Sequence, residues 1–299
     1  MSTLGNIIGN TIYNGGKRQA PLPLVENYVY ANDTLARGNN AYGMNMSPDG
    51  QFLNVTLRID RTIYNLVGGP NWELSTRTTP NNYRYSFIPE IASGGSCWSA
   101  TWSKDGTKLF LGLTIGTGTA HIDEYNMAFP FEIRQGTNNP DISQGAPYYN
   151  AYTPVYQGRY NTSGTTSADS INDLCLSPDG INMNWVIPEN TAKLVHVTLD
   201  TPNSTAGGVT NQSITDLGVG FSSGAMYIPP SGNLVYLGTS TQVQQFEISG
   251  WDTSTIDTGS PISTLTVSGD ITGTPRSIMA YQEHLYVLDA AGTIHRYSI

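Results

Sequence analysis

The chain has 299 residues, a formal net charge of −9 and only 14 Lys plus Arg, so it is long enough to bury a core without metal or disulfide staples. It carries no dense basic run, which excludes a reader of phosphate backbones and a binder of anionic membrane surfaces. Charged residues make up only 12%, about half the usual share, so a surface solvated by amides and hydroxyls is expected, as suits an extracellular or particle-bound protein.

Residues 1–26 stand apart from the rest of the chain. Met1 to Arg18 is rich in Gly and Asn and lacks a charged leader followed by an apolar block, so no signal peptide is expected. Ala20-Pro-Leu-Pro-Leu24 is held extended by its prolines. The segment reads either as a disordered tail or as an arm whose apolar spots Ile7, Ile8, Ile12 and Leu22 contact a neighbouring subunit.

From residue 27 onward one unit recurs: an apolar stretch, a tight turn ending in Gly, and a second apolar stretch. The copies are Gly43-Met-Asn-Met-Ser-Pro-Asp-Gly50, Ser99-Ala-Thr-Trp-Ser-Lys-Asp-Gly106 and Asp173-Leu-Cys-Leu-Ser-Pro-Asp-Gly180. Ala225-Met-Tyr-Ile-Pro-Pro-Ser-Gly232 is weaker, and Ser277-Ile-Met-Ala-Tyr-Gln-Glu-His284 is degenerate. Pro presets φ at the turn and Asp-Gly tolerates the unusual dihedrals, so each copy is a hairpin. A third strand comes next, at Thr62–Leu66, His121–Met127, Leu194–Leu199, Val243–Ile248 and Thr293–Ile299. A fourth is suggested at Asn71–Thr76, Phe131–Arg134 and Ser263–Val267.

Successive turn positions lie 56, 74, 52 and 51 residues apart, and a four-stranded unit of about 50 residues is the size of a propeller blade. The expected fold is therefore all-β: a single β-propeller over residues 27–299 with about five four-stranded blades. A sixth blade inside the long step and an open stack of sheets are the alternatives. The final copy stops after its third strand, so Asn27–Ala31 is expected to supply its outer strand and close the ring. The long step carries Tyr-, Gly- and Asn-rich residues near 138–167, read as an inserted surface loop. Its tyrosines Tyr148, Tyr149, Tyr152 and Tyr156 are candidates for surface binding, with Tyr160 beside them; the alternative is a loop packing on itself.

No catalytic set emerges. His121, His196 and His295 fall in third strands, away from a central channel, so no metal or cofactor is expected. Asp49, Asp105 and Asp179 occur once per blade and read as turn caps. Cys97 and Cys175 read as free, partly buried thiols, with a disulfide left open. Trp102 and Trp185 lie in hairpin strands and read as core.

The run Ile63-Tyr-Asn-Leu66 with Pro70-Asn-Trp-Glu-Leu-Ser-Thr76, and Glu124-Tyr-Asn-Met127 with Phe129-Pro-Phe-Glu-Ile133, resembles a repeat of bacteriophage virion and tail-associated propellers. That family's unit is an Asp-Gly hairpin, a strand ending Tyr-x-Leu, and a Pro-Trp/Phe-Asp-Ile-Ser-Thr segment. Copies three to five depart from it, and the family supplies no catalytic residues. The resemblance implies a non-enzymatic structural component of a virion, in its tail, fibre or capsid. It would be assembled in the host cytoplasm, anchored by its N-terminal arm and partnered by other virion proteins. A host-receptor or glycan-binding adhesion module is the alternative, and a propeller hydrolase or lactonase the third reading.

Overall fold

The computed structural model describes residues 24–29, 40–59, 62–68, 74, 77, 84–86, 95–115, 119–133, 154–162, 171–188, 191–221, 224–267, 269–281 and 283–299. These form five four-stranded antiparallel sheets arranged as a five-bladed β-propeller. Blade 1 is β2 (Ala41–Met46), β3 (Phe52–Leu57), β4 (Thr62–Val67) and β5 (Arg84–Ser86). Blade 2 is β6 (Ser96–Trp102), β7 (Lys108–Ile115), β8 (Thr119–Asn126) and β9 (Val155–Asn161). Blade 3 is β10 (Asp173–Leu176), β11 (Asn182–Ile187), β12 (Ala192–Thr201) and β13 (Ser204–Gly218). Blade 4 is β14 (Met226–Tyr227), β15 (Leu234–Gly238), β16 (Gln242–Glu247) and β17 (Ser263–Thr266). Blade 5 is β18 (Ser277–Tyr281), β19 (His284–Leu288), β20 (Thr293–Ser298) and, from the other end of the chain, β1 (Leu24–Val29).

Closure is thus as expected, with a shifted boundary. The donor strand starts at Leu24 rather than Asn27, and its register runs from Leu24 opposite Tyr297 to Val29 opposite Thr293. Pairing the first described strand with the last removes an open sheet edge. The inner strands β2, β6, β10, β14 and β18 touch in cyclic order, which is what rotation of one unit about an axis requires.

The second strands are buried on both faces: in β7, Leu109, Leu111 and Leu113 face one neighbouring blade and Phe110 the other, whereas in β3 Leu53, Val55 and Leu57 form one face and the buried polar side chains of Asn54 and Thr56 the other. The buried apolar residues separate into five clusters, one for each junction between neighbouring blades. Met44 and Leu53 meet Tyr286 and Ile294 between blades 1 and 5, for example, and Ile63 joins the Trp102 cluster between blades 1 and 2.

The turn aspartates act as the sequence suggests. Asp105 Oδ1 accepts from the Ser103 hydroxyl at 2.6 Å and the Thr107 amide at 3.1 Å. Asp179 does the same with Ser177 and the Ile181 amide, and Asp49 with Ser47 and the Gln51 amide. The serine bonds are the leading cause that holds Asp105 and Asp179 below the usual carboxylate range. In blade 4, where Asp is replaced, Asn233 accepts from Ser231 instead.

Two fourth-strand expectations are corrected. The outer strand of blade 1 is β5, beyond Asn71–Thr76, of which only Leu74 is among the described residues. In blade 2, Phe129 and Glu132 form an isolated bridge at a corner, and the outer strand is β9. Residues 155–161 are therefore a blade strand and not part of an inserted loop. In blade 4 the expectation stands, since β17 pairs β16 from Ser263 to Thr266.

Candidate functional site

Two sets of residues organise the ring, one at its axis and one at its corners. At the axis, the position seven residues before each turn holds Gly43, Ser99, Asp173, Ala225 and Ser277. Four are small, because five strands converge there. A Cβ on Gly43 would sit 2.8 Å from the Ser99 Cα, so this close approach needs Gly. The fifth is a carboxylate, and it bridges three blades. Asp173 Oδ2 accepts from the Met226 amide at 2.9 Å, and Oδ1 from the Ser277 hydroxyl at 3.3 Å. The Met44 amide donates to the Ser277 oxygen at 3.2 Å. The Thr56 hydroxyl donates to the Trp98 carbonyl and the Ser99 hydroxyl to the Ile171 carbonyl, so side-chain bonds close a circuit through blades 1, 2, 3 and 5, with blade 4 joined to it at Asp173. Burial raises the Asp173 pKa well above the usual carboxylate range, against the pull of its hydrogen bonds.

At the corners, Phe131, Asn203 and Trp251 adopt positive φ of 59°, 55° and 72°. Each donates its amide to the carbonyl of its own turn glycine, Gly106, Gly180 or Gly232, at 3.1, 2.8 and 2.7 Å. Each side chain lies over that glycine; a Cβ on Gly232 would run into the Trp251 indole. Each carbonyl then accepts from the preceding blade: Phe131 from Asn65 Nδ2 at 3.1 Å, Asn203 from Lys108 Nζ at 2.7 Å, and Trp251 from Asn184 Nδ2 at 3.2 Å. Copy four thus departs less from the repeat than expected: it carries the corner aromatic, Trp251, in Gly250-Trp-Asp-Thr253.

A cavity of about 440 Å³ opens on the face that bears the Asp-Gly turns. Asn45, Thr101, Cys175 and Tyr227, at equivalent positions of blades 1 to 4, form its floor together with Met46, Trp102, Leu176 and Ile228. Pro48, Lys104, Pro178 and Pro230 stand on the turns around the mouth, and the corner rings of Phe131 and Trp251 also line it. Trp102 packs on Phe131 with ring centroids 5.7 Å apart, and its buried indole N–H has no acceptor partner among the described residues. Two ionisable groups besides Lys104 line the cavity. Burial pushes the Cys175 thiol up, helped by nearby Asp173, and burial also pushes the Tyr227 hydroxyl up.

Of the sequence-derived candidates, Ile7, Ile8, Ile12, Leu22, Tyr148, Tyr149 and Tyr152 lie outside the described residues. Tyr156 is on β9, 45% exposed, its ring 5.7 Å from that of Tyr125; Tyr160 packs on Trp185 at 6.2 Å. Neither reaches the cavity. His196 bonds Asn184 and His295 bonds Asp289, both inside third strands as expected, and among the described residues no three His, Cys, Asp or Glu side chains converge on a metal position. Cys97 and Cys175 are free and buried. Sequence reasoning misses Asp173 and Trp251. Asp173 is the only charged residue at the first position of the repeat, and that exception is readable.

No family model and no curated protein matches the chain. Solved structures do resemble it. One is a candidate 6-phosphogluconolactonase from Bacteroides fragilis, with 16% identity and a TM-score of 0.42 over 76% of this chain and 58% of that one. A protein from Lactobacillus plantarum has 12% identity and a TM-score of 0.47 over 82% and 63%. Chaetomium thermophilum Sqt1, bound to the N-terminus of ribosomal protein L10, has 11% identity and a TM-score of 0.42 over 87% and 58%. The chain thus spans about three-fifths of the structures it matches, and likeness at this level transfers neither activity nor substrate. The expectation of a structural virion component is corrected by this result: the similar structures include candidate 6-phosphogluconolactonases from two Bacteroides species, and none of those named here is a phage protein.

Proposed function

We propose that the chain is a protein-binding propeller that captures a large apolar side chain of a partner segment in the cavity on its turn face. The observation that carries this reading is the lining. Four blades contribute apolar and aromatic walls, and among the described residues around the cavity there is neither a carboxylate nor an imidazole. General acid–base chemistry needs a group whose pKa lies near the working pH. Cys175 and Tyr227 are both moved away from neutrality, towards their protonated forms. Interface anchors cluster in well-packed, desolvated pockets and are enriched in aromatic residues.

Selection of random peptides displayed against the purified protein tests the proposal. Enriched sequences are expected to share one large apolar residue, and to bind at least tenfold more weakly to Pro230→Arg and Tyr227→Ser variants. Pro230 is exposed at the mouth, so its replacement leaves the fold intact. Enriched peptides that bind both variants as well as the parent protein would place the interface elsewhere.

A further inference from the structure

The cavity on the turn face is apolar inside, but its surroundings are not. Four residues that line it are each followed by an acid: Asp49 comes after Pro48, Asp105 after Lys104, Asp179 after Pro178 and Asp252 after Trp251. Blade 5 adds Glu283 on its own turn, so every blade offers one carboxylate to this face. Asp49, Asp105, Asp179 and Glu283 are exposed, and Asp252 is half-buried.

These charges are held in place. One oxygen of each turn aspartate is fixed by a serine hydroxyl and an amide, which leaves the second without a partner among the described residues. Asp252 Oδ1 accepts from the Ser254 amide at 2.9 Å. Against the pull of burial, that bond and nearby His196 keep Asp252 below the usual carboxylate range, where Asp105 and Asp179 also lie. All three are therefore ionised at neutral pH.

The cations nearby are fewer and mostly spent. Lys108 pairs with Glu124 at 2.6 Å and donates to the Asn203 carbonyl at 2.7 Å. Arg77 is buried, with its Nη2 on the Gly50 carbonyl at 2.8 Å, and Arg296 lies against His284. Lys104 is the one charged residue of the lining, at a position where blades 1, 3 and 4 carry Pro. Among the described residues none of the five acids forms an ion pair.

We propose that the segment captured by this cavity is cationic: its apolar anchor enters between the prolines, and flanking Lys or Arg side chains reach the acids around the mouth. The proposal rests on the reading of the cavity as an anchor pocket and adds the partner's charge to it. A second copy of the chain does not fit, because it would set the same carboxylates against one another in a molecule of net charge −9. An exposed charge pair changes affinity by only about 1.5- to 5-fold, so the face acts through the number of its acids. The effect must also fade with salt, since the Debye length is about 8 Å near 0.15 M.

Fluorescence anisotropy with labelled heptapeptides tests the charge. The probes carry a central Trp flanked on each side by three lysines, three serines or three glutamates, and a fourth replaces the Trp of the lysine peptide by Ala. At low salt the lysine probe should bind about tenfold more tightly than the serine probe, and the glutamate probe most weakly of the three, with the spread narrowing as NaCl is added. That salt dependence is read on the unaltered protein. The combined variant Asp49→Asn, Asp105→Asn, Asp179→Asn should weaken the lysine probe about fivefold and leave the serine probe unchanged. Asn keeps an oxygen to accept from the turn serine, as Asn233 does in blade 4, so the turns stay formed. Lys104→Pro, which installs the residue of the other three blades, should tighten the lysine probe. Equal binding of the three Trp probes overturns the proposal and leaves the anchor pocket standing. An Ala-centred probe that binds as tightly as its Trp counterpart, or no binding by any Trp probe, overturns the pocket and this proposal with it. Preference for the glutamate probe, lost in Lys104→Pro, overturns the proposal in favour of an anionic segment.

Discussion

The blades are joined in two ways, and the two obey different rules. At the corners one device is repeated: a residue at positive φ covers its turn glycine and offers its carbonyl to the preceding blade, in blades 2, 3 and 4. The backbone work is the same each time, so the side chain is free to vary from Phe131 to Asn203 to Trp251. The axis is not repetitive. There a single carboxyl group, Asp173, joins blade 3 to blades 4 and 5, and no other copy has its equivalent. Repetition spreads the load, whereas one unrepeated group concentrates it, and this difference can be measured.

The largest effect should come from the corner where backbone and packing roles coincide. Trp251 is 7% exposed and belongs to the cluster between blades 3 and 4. Trp251→Ala removes that packing and leaves a β-carbon at a φ of 72°. A loss of about 3–5 kcal/mol is expected in chemical denaturation, the usual range for truncating a buried Trp. A loss below 1 kcal/mol would mean that the corner bonds hold the blade without the ring.

At the axis the test is one of pH. Asp173→Ala leaves the Met226 amide without an acceptor and should cost about 1–3 kcal/mol. Asp173→Asn is more informative. A carboxyl whose folded pKa is raised binds its proton more tightly folded than unfolded. Its stabilising contribution is complete below the ordinary carboxylate pKa and is lost as pH climbs towards the raised value. The parent protein should therefore lose stability across that window, and Asp173→Asn, which has no proton to give up, should show a flatter profile. Parallel profiles for the two proteins would mean that the axis holds an ordinary ionised carboxylate.

How much of this the chain announces depends on the same contrast. The Asp-Gly turns, the third strands and the pairing of the two ends are legible, because each repeats or completes a pattern. The outer strands are not. β13 is exposed or half-buried at all but two positions and carries Thr, Ser, Gln and Asn among its few apolar residues, so it lacks the alternation that burial on one face imposes. β9 hides in a Tyr-rich stretch for the same reason, its burial pattern being exposed or intermediate throughout. The cavity is legible only in pieces. Its lining residues are visible as strand positions, but their convergence depends on a rotation axis that no local pattern states.

The smallest expected effect separates the backbone role of a corner from its packing role. Asn203 occupies the blade 3 corner at a φ of 55°, with its side chain over Gly180 and no part in the apolar cavity. Asn is tolerated in this conformation and Gly adopts it freely, but for Ala it costs roughly 1–2 kcal/mol. If the corner is chiefly a matter of backbone, Asn203→Gly should stay within about 0.5 kcal/mol of the parent while Asn203→Ala falls by about 1 kcal/mol. Both retain the amide bond to Gly180 and the carbonyl that receives Lys108, so only the dihedral cost distinguishes them. Equal losses would shift the burden to the amide side chain itself, and the blade 3 corner would then be held by packing, as the blade 4 corner is by Trp251.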